Sequence, residues 1–370
     1  MGTAIVRIVF SMGHPAHFHL FKNAIRILET RGHQCRIICV RKDVLVHLLD
    51  ASEYHYKVIG SFSSTLWGKM IEQIRFEAGL YRVVRDFAPD ILVGGTGSAA
   101  VAHIGKLARV PSVVFDDTEH ARIEHMLMDP FVSTFCTPSC YLSDLEGRQI
   151  RYNGYHELAY LHPAYFTPDS SVLDRIGLAI GDPFIVVRFV SWNASHDIGQ
   201  HGILDKAELV KALEPYGRVL ITSEGPLPPE LEKYRAQVAP EKMHDLLSFA
   251  RLYIGEGATM ASEAALVGTP SLLVSSLAGT MGNFLELEKT YELIYSYSDS
   301  GAALQKALDI LSDLDSKRIW AKKRDRLLED KIDVTAFMVW FIENYPQSIV
   351  EIKEHPEVQY SCASTVGEIL

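Results

Sequence analysis

Residues 255–270 read Gly-Glu-Gly-Ala-Thr-Met-Ala-Ser-Glu-Ala-Ala-Leu-Val-Gly-Thr-Pro, the densest chemical signal in the chain. A short strand precedes them and a helix opens within them. The unpaired N–H groups of Gly257, Ala258 and Thr259 and the positive helix end would therefore converge on one point, where a phosphate belongs. Glu263, about one and a half turns further on among small side chains, can accept bonds from two vicinal ribose hydroxyls. The bland alternative makes it a solvated helix residue. Further upstream, Arg188 opens the run Arg-Phe-Val-Ser-Trp-Asn-Ala-Ser-His-Asp, whose polar density, Asn193 included, exceeds what a connecting loop needs. Arg188 can neutralise a diphosphate, or it can pair with acidic residues of a facing domain.

Three more sites follow strands in the first half. Gly94-Gly95-Thr96-Gly97-Ser98-Ala99-Ala100 is a strand-to-helix loop. From Gly95 it matches GxGxxA, and Asp116 and Asp117 follow about twenty residues later, which is formally the dinucleotide fingerprint. That fingerprint belongs to the first strand of a domain, whereas three strands precede this one. No GxxxxGK[ST] is present, so a P-loop is excluded. Gly13-His14-Pro15-Ala16-His17-Phe18-His19 leaves the first strand. Pro15 suits a first helical turn, so the His14 imidazole can project from the strand end as a general base or bind a substrate hydroxyl. His17 and His19 point about 200° apart on a helix, which argues against a shared metal. Asp116-Asp117-Thr118-Glu119-His120 ends another strand. Clustered carboxylates raise one another's pKa, as an acid or base requires; a helix cap at Asp117 or Thr118, with Glu119 in the first turn, is the structural alternative.

The elements that must hold these loops are legible from periodicity. Strands are expected at 5–10, 35–40, 56–59, 90–93, 112–115 and near Phe135, with helices at 16–30, within 66–86 and at 98–108. Phe18, Phe21, Ile25 and Leu28 fall three and four apart, so one face of the first helix meets a sheet. Residues 155–169, with two prolines and little periodicity, read as an interdomain linker. A second series has strands at 184–189, 219–222, 252–254 and 271–274. The chain turns helical after Ala302; Phe337, Trp340 and Phe341 read as core packing, and residues beyond Pro346 as a loose tail. Alternating strands and helices predict parallel α/β domains, here two open Rossmann-like sheets facing a cleft at the carboxyl ends of their strands.

Composition agrees. The 370 residues favour two domains, and 48% hydrophobic against 22% charged residues exclude disordered and fibrous classes. A formal charge of −10 without a basic cluster excludes nucleic acid as the expected partner. Five cysteines, an odd number without CxxC spacing, fit a reducing cytoplasm and neither a disulfide framework nor zinc. The N-terminus has no signal-like apolar run. Residues 264–285 are uncharged, yet their glycines, proline and hydroxyl residues read as strand and loop and not as a membrane span.

On these residues the chain resembles the GT-B group, which includes glycosyltransferases and non-hydrolysing UDP-N-acetylglucosamine 2-epimerases. GHPAHFHLFKN, DDTEHA, GYHELAYLHP, VRFVSWNASHDIG and GATMASEAALVGTP resemble, more closely, the prokaryotic family called domain of unknown function 354, over roughly residues 4–345. The resemblance implies a nucleotide-sugar site with the pyrophosphate at Gly257, Ala258 and Thr259, the ribose on Glu263, and the first-strand loop with Gly13 and His14 facing the sugar or acceptor. It departs from the epimerase pattern in two places: Gly95-Thr96-Gly97 stands where an Asp is usual, and Val187-Arg188 where a His-Arg pair is usual.

The expectation is therefore a cytoplasmic GT-B glycosyltransferase using a nucleoside-diphosphate sugar, UDP-linked by first choice, without metal or other cofactor. Its site would comprise His14, Asp117 and Glu119 as acid–base groups and Gly13, Gly95, Gly97, Arg188, Asn193, Gly257, Ala258, Thr259 and Glu263 as donor contacts. The acceptor is a glycan or lipid, with a peripheral membrane contact open and the oligomeric state unspecified. Domains are expected at 1–160 and 170–345, the latter carrying the terminal helices, with 346–370 as tail. Alternatives are a UDP-sugar 2-epimerase, an NAD-dependent oxidoreductase using Gly95–Ala100, or a non-catalytic binding protein of the same shape.

Overall fold

The β-branched runs become strands, and every strand pairing is parallel. The computed structural model describes all residues except 1–3, 62, 64, 191–201, 204, 224, 277–278 and 366–370. In the first sheet, β1 (Arg7–Met12), β2 (Gln34–Arg41), β3 (Tyr56–Ser61), β4 (Ile91–Gly95), β5 (Ser112–Phe115), β6 (Thr134–Pro138) and β7 (Gln149–Tyr152) stand in the order β3-β2-β1-β4-β5-β6-β7. In the second, β8 (Phe184–Phe189), β9 (Arg218–Ser223), β10 (Leu252–Gly255), β11 (Ser271–Val274) and β12 (Ile294–Tyr297) stand in the order β12-β11-β10-β8-β9. These are two Rossmann-like domains, as the alternation of elements predicted. The edge strands β7 and β12 were not anticipated.

The chain divides differently from expectation. One unit comprises Met1–Tyr165 together with Ile332–Leu370, and the other Phe166–Lys331. The terminal helices thus belong to the first sheet and not to the second domain. The reason is a set of contacts that periodicity does not reveal. Phe337 and Phe341 in the helix Val334–Glu343 are fully buried, with the Phe337 ring 5.3 Å from that of Tyr152 in β7. Glu343 takes Arg31 at 2.6 Å and His33 at 2.9 Å. The linker assignment is corrected likewise: Tyr155, Leu158, Ala159, Tyr160 and Leu161 are buried, and the Ala159 carbonyl accepts from Asn23 Nδ2 at 2.8 Å and Thr335 Oγ1 at 2.7 Å. The boundary lies after Tyr165. Nor is the C-terminus a loose tail, since Gln347–Glu354 and Val358–Ser361 are helical and Ile352 and Cys362 are buried.

On one face of the first sheet lie the helices Leu66–Phe87 and Ala99–Ala108, whose Phe76, Leu80, Val101 and Ile104 join Val9, Ile38 and Leu92 in a core. The helix Pro15–Thr30 buries Phe18, Phe21, Ile25 and Leu28 as its spacing predicted. Phe337→Ala should cost the first unit about 3–5 kcal/mol. Calorimetry would show its unfolding transition falling while that of the second unit stays in place.

Candidate functional site

Each sheet has a point where strand order reverses, and the loops singled out from sequence leave the strands beside it. In the first unit β1 lies between β2 and β4, so the loops after β1 and β4 flank the reversal, where open α/β sheets bind ligands. A pocket of ≈ 270 Å³ opens there, lined by Gly13, His14, His17, Gln73, Thr96 and Gly97 among others. His14 caps the helix Pro15–Thr30, its Nδ1 accepting from Ala16 N at 3.2 Å. In the neutral ring Nε2 therefore carries the proton, and the lone pair open to a base is that of Nδ1.

His17 was read from sequence only as an unsuitable metal ligand, yet it is central here. Its Nδ1 accepts from Gly13 N at 3.2 Å. Burial, then the neighbouring His14 and His156, push its pKa down to about 3, so it stays neutral. Gly95 is buried, and a Cβ there would stand 2.6 Å from His17 Nε2. Glycine at 95 thus makes room for the imidazole. Gly97 has φ +79°, the left-handed region that glycine suits.

The acidic cluster divides into two networks. Asp116 is wholly buried and accepts from Thr96 Oγ1 at 2.6 Å and Tyr141 OH at 2.8 Å, with His125 Nε2 at 3.0 Å. Burial works to lower the His125 pKa, but Asp116 and Asp129 outweigh it and raise it to about 9. Asp117 accepts from Thr118 Oγ1 at 3.0 Å and lies 3.0 Å from His156 Nδ1. The expected mutual raising of carboxylate pKa values does not hold at Asp117: burial pushes upward, but His156 and the two threonines bring it down to about 2. For His156 burial pushes downward and Asp117 outweighs it, so its pKa is raised. His156 Nε2 is buried without a hydrogen-bond partner among the described residues. Glu119 accepts from Leu142 N at 3.1 Å. The capping alternative is not realised, because the next helix begins at Arg122 behind Ala121.

A stability window follows from the Asp117–His156 contact. The Asp117 contribution is present above the ordinary 3.8 and is lost as pH falls toward about 2. The His156 contribution is complete below the ordinary 6.5 and is lost as pH rises through its raised value. The pair should stabilise the first unit most between about pH 4 and 6.5, and His156→Gln should lower its melting temperature within that window and flatten the decline on either side.

In the second unit the reversal falls between β8 and β10. Gly257, in extended backbone, caps the helix Ala258–Leu266 without a side-chain bond, so the first-turn N–H groups have no partner within the helix. Thr259 is exposed, and Gly257 and Ala258 are half-buried. The Arg188 stem packs against both glycines: a Cβ on Gly255 would lie 2.6 Å from Arg188 Cβ, and one on Gly257 3.4 Å from its Cγ. Glu256, which sequence reading passed over, accepts from Val190 N and Ile203 N, each at 2.8 Å. It thereby ties Val190 to Ile203; Asn193 lies outside the described residues. Glu263 is only 6% exposed, and its Oε1 stands 3.0 Å from His244 Nε2. The solvated-helix reading of Glu263 therefore fails, and His244, from the helix Met243–Phe249, is a partner of Glu263 that no local motif announced.

Among the described residues no three His, Cys, Asp or Glu side chains converge as a metal would need, and no helix is long and apolar enough to cross a membrane. None of the five cysteines is in a disulfide.

The model of the family described as protein of unknown function (DUF354) matches residues 6–342. No curated protein matches the sequence. Among solved structures, the S. aureus MnaA–UDP co-structure gives a TM-score of 0.66 at 11% identity, over 94% of this chain and 98% of that one. A protein of Listeria monocytogenes provisionally named a UDP-N-acetylglucosamine 2-epimerase gives 0.64 at 12%, over 95% and 97%. The glycosyltransferase SsfS6 of Streptomyces sp. SF2575, complexed with thymidine diphosphate, gives 0.60 at 10%, over 91% and 99%. At such identities the likeness establishes the fold alone, which is GT-B.

Proposed function

We propose, from the premise that this chain belongs to the DUF354 family and has the GT-B fold, that it is a glycosyltransferase acting on a nucleoside-diphosphate sugar, with uridine as the first-choice base. One observation carries the reading: an open helix N-terminus beside Arg188, followed in the same helix by the buried Glu263 held by His244. The backbone N–H groups of Ala258 and Thr259 and the Arg188 guanidinium take the diphosphate, and the Glu263 carboxylate takes the ribose hydroxyls. In transfer, the bond from the sugar anomeric carbon to the diphosphate breaks, its electron pair leaving with the diphosphate. A bond from the acceptor oxygen to that carbon forms, and the acceptor proton passes to the lone pair of His14 Nδ1, which gives up its bond from Ala16 N. Arg188 and the helix end stabilise the departing charge.

Asp117 is better suited to orienting His156 than to removing a proton, since its pKa is about 2. The rival dinucleotide reading needs an acid free for a ribose after β5. Asp116 is instead occupied by Thr96, Tyr141 and His125, which speaks against it.

The test is thermal stabilisation by UDP, GDP, CMP, UDP-N-acetylglucosamine and NADH. A ligand at 100 times its Kd adds about 2.7 kcal/mol, expected here in the transition of the second unit with one nucleoside diphosphate. Stabilisation by NADH alone, or by none of the five, would overturn the proposal. Solvent deuterium entering the sugar ring of the bound donor would replace transfer with epimerisation.

A further inference from the structure

The outer face of the first unit carries a feature that the proposed reaction does not use. The helices Leu66–Phe87, Ala99–Ala108 and Arg122–Met128 are tied side by side through His103. Its Nδ1 lies 2.7 Å from Glu77 Oε1 and its Nε2 3.0 Å from the Leu127 carbonyl. The inward residues of the first two make the core already described, and Met128 of the third is buried with Val114 and Phe135, so their outward faces should be polar. They are not. On the first, Trp67 is 75% exposed, Met70 50%, Ile71 48% and Ile74 64%, at the i, i+3, i+4, i+7 positions of one helical stripe. On the others and the turn that follows, Leu107, Ile123, Met126, Leu127 and Phe131 are exposed too. An apolar surface spread over three neighbouring helices marks an interaction face.

Charge identifies the occupant. Arg82, Lys106, Arg109 and Arg122 on these helices and their ends are exposed and make no ion pair among the described residues. The acids nearby are largely committed, Glu72 to Arg75 and Ser61, Glu77 to His103, and Asp86 to Arg85, with Glu124 of the third helix the exception among the described residues. The layer is thus apolar and locally cationic in a chain of net charge −10. A second copy seated on it by two-fold symmetry would set cation against cation. An anionic lipid surface would meet both properties, with aromatic and aliphatic side chains entering the interface and Lys and Arg at its headgroups. We infer that this three-helix face docks on anionic membranes, so that the protein works at a lipid surface. The inference does not depend on the transferase reading.

Co-sedimentation of the full chain tests it, using vesicles of phosphatidylcholine alone and vesicles containing about 30% phosphatidylglycerol. Binding is expected only to the anionic vesicles, with a blue shift of tryptophan emission and weakening as salt rises. Trp67→Glu with Ile74→Glu should reduce it at least tenfold, and Arg82→Glu or Arg122→Glu about fivefold or more each. All four positions are exposed, and unchanged melting temperatures would show that the variants fold. Absence of binding to anionic vesicles, or equal binding to neutral ones, would overturn the inference. So would a wild-type dimer in ultracentrifugation that Trp67→Glu with Ile74→Glu makes monomeric, because the face would then be a self-interface.

Discussion

Glu263→Gln removes most of the stabilisation that a nucleoside diphosphate gives the second unit. The substitution keeps the shape of the side chain but deletes the charge, and each hydrogen bond to a charged acceptor is worth about 1.5–3 kcal/mol. At a concentration 100 times the wild-type Kd, the roughly 2.7 kcal/mol gain should fall below about 1.5 kcal/mol. The ligand-free melting temperature should move less, since the amide can still meet His244 Nε2, now 3.0 Å from the carboxylate. His244→Gln should weaken binding by a smaller factor, because it loosens Glu263 without deleting it. An undiminished shift in Glu263→Gln would place the ribose elsewhere and remove the main support for a nucleotide site on this helix.

His14→Ala lowers kcat by about 10²–10⁴-fold, the range for loss of a positioned general base, and leaves the nucleotide-induced thermal shift intact. The two readouts separate cleanly, because His14 belongs to the first unit and the proposed diphosphate and ribose contacts to the second. His156→Gln should reduce kcat less and move the pH profile, since the imidazole paired to Asp117 at 3.0 Å sets the local charge beside His17. A His14→Ala protein with wild-type kcat would transfer the base role to another group. Steady-state rates measured from pH 5 to 9, with the melting shift taken on the same samples, decide between these outcomes.

Most strand positions and the glycine turn before Ala258 were legible because each rests on local pattern. β5, β8 and β11 are apolar runs bounded by turn residues, and their limits coincide with the reading from sequence. β7 and β12 escaped because edge strands of four residues alternate with polar side chains; Gln149-Ile150-Arg151-Tyr152 buries only Ile150 and Tyr152. Glu263 was legible from its place behind the glycines. His244, His156 and His17 were not, because topology alone brings them to Glu263, Asp117 and Gly95. The motif GYHELAYLHP did contain His156, and its proline, with Pro168 beyond it, drew attention to a linker instead. Gly95 shows the same limit from the other side: the pattern marks a glycine, but only packing shows that the space belongs to His17. The allegiance of the last helices could not be read, since an aromatic stripe declares that it will be buried but not under which sheet.

That allegiance bears on how the protein is made. The second unit is an uninterrupted stretch, Phe166–Lys331, and the helices of the first unit from Val334 onward are translated after it. A ribosome adding about 5–20 residues per second therefore holds the first sheet incomplete for roughly 10–30 s while the later unit emerges whole. Until Val334–Glu343 arrives, Tyr152 and its neighbours have no cover. The order of folding is thus inverted relative to the order of synthesis: the inserted unit closes first, and the first sheet, though made before it, closes afterwards. Chaperone contact during translation should accordingly concentrate on the first sheet, released only by the C-terminal helices.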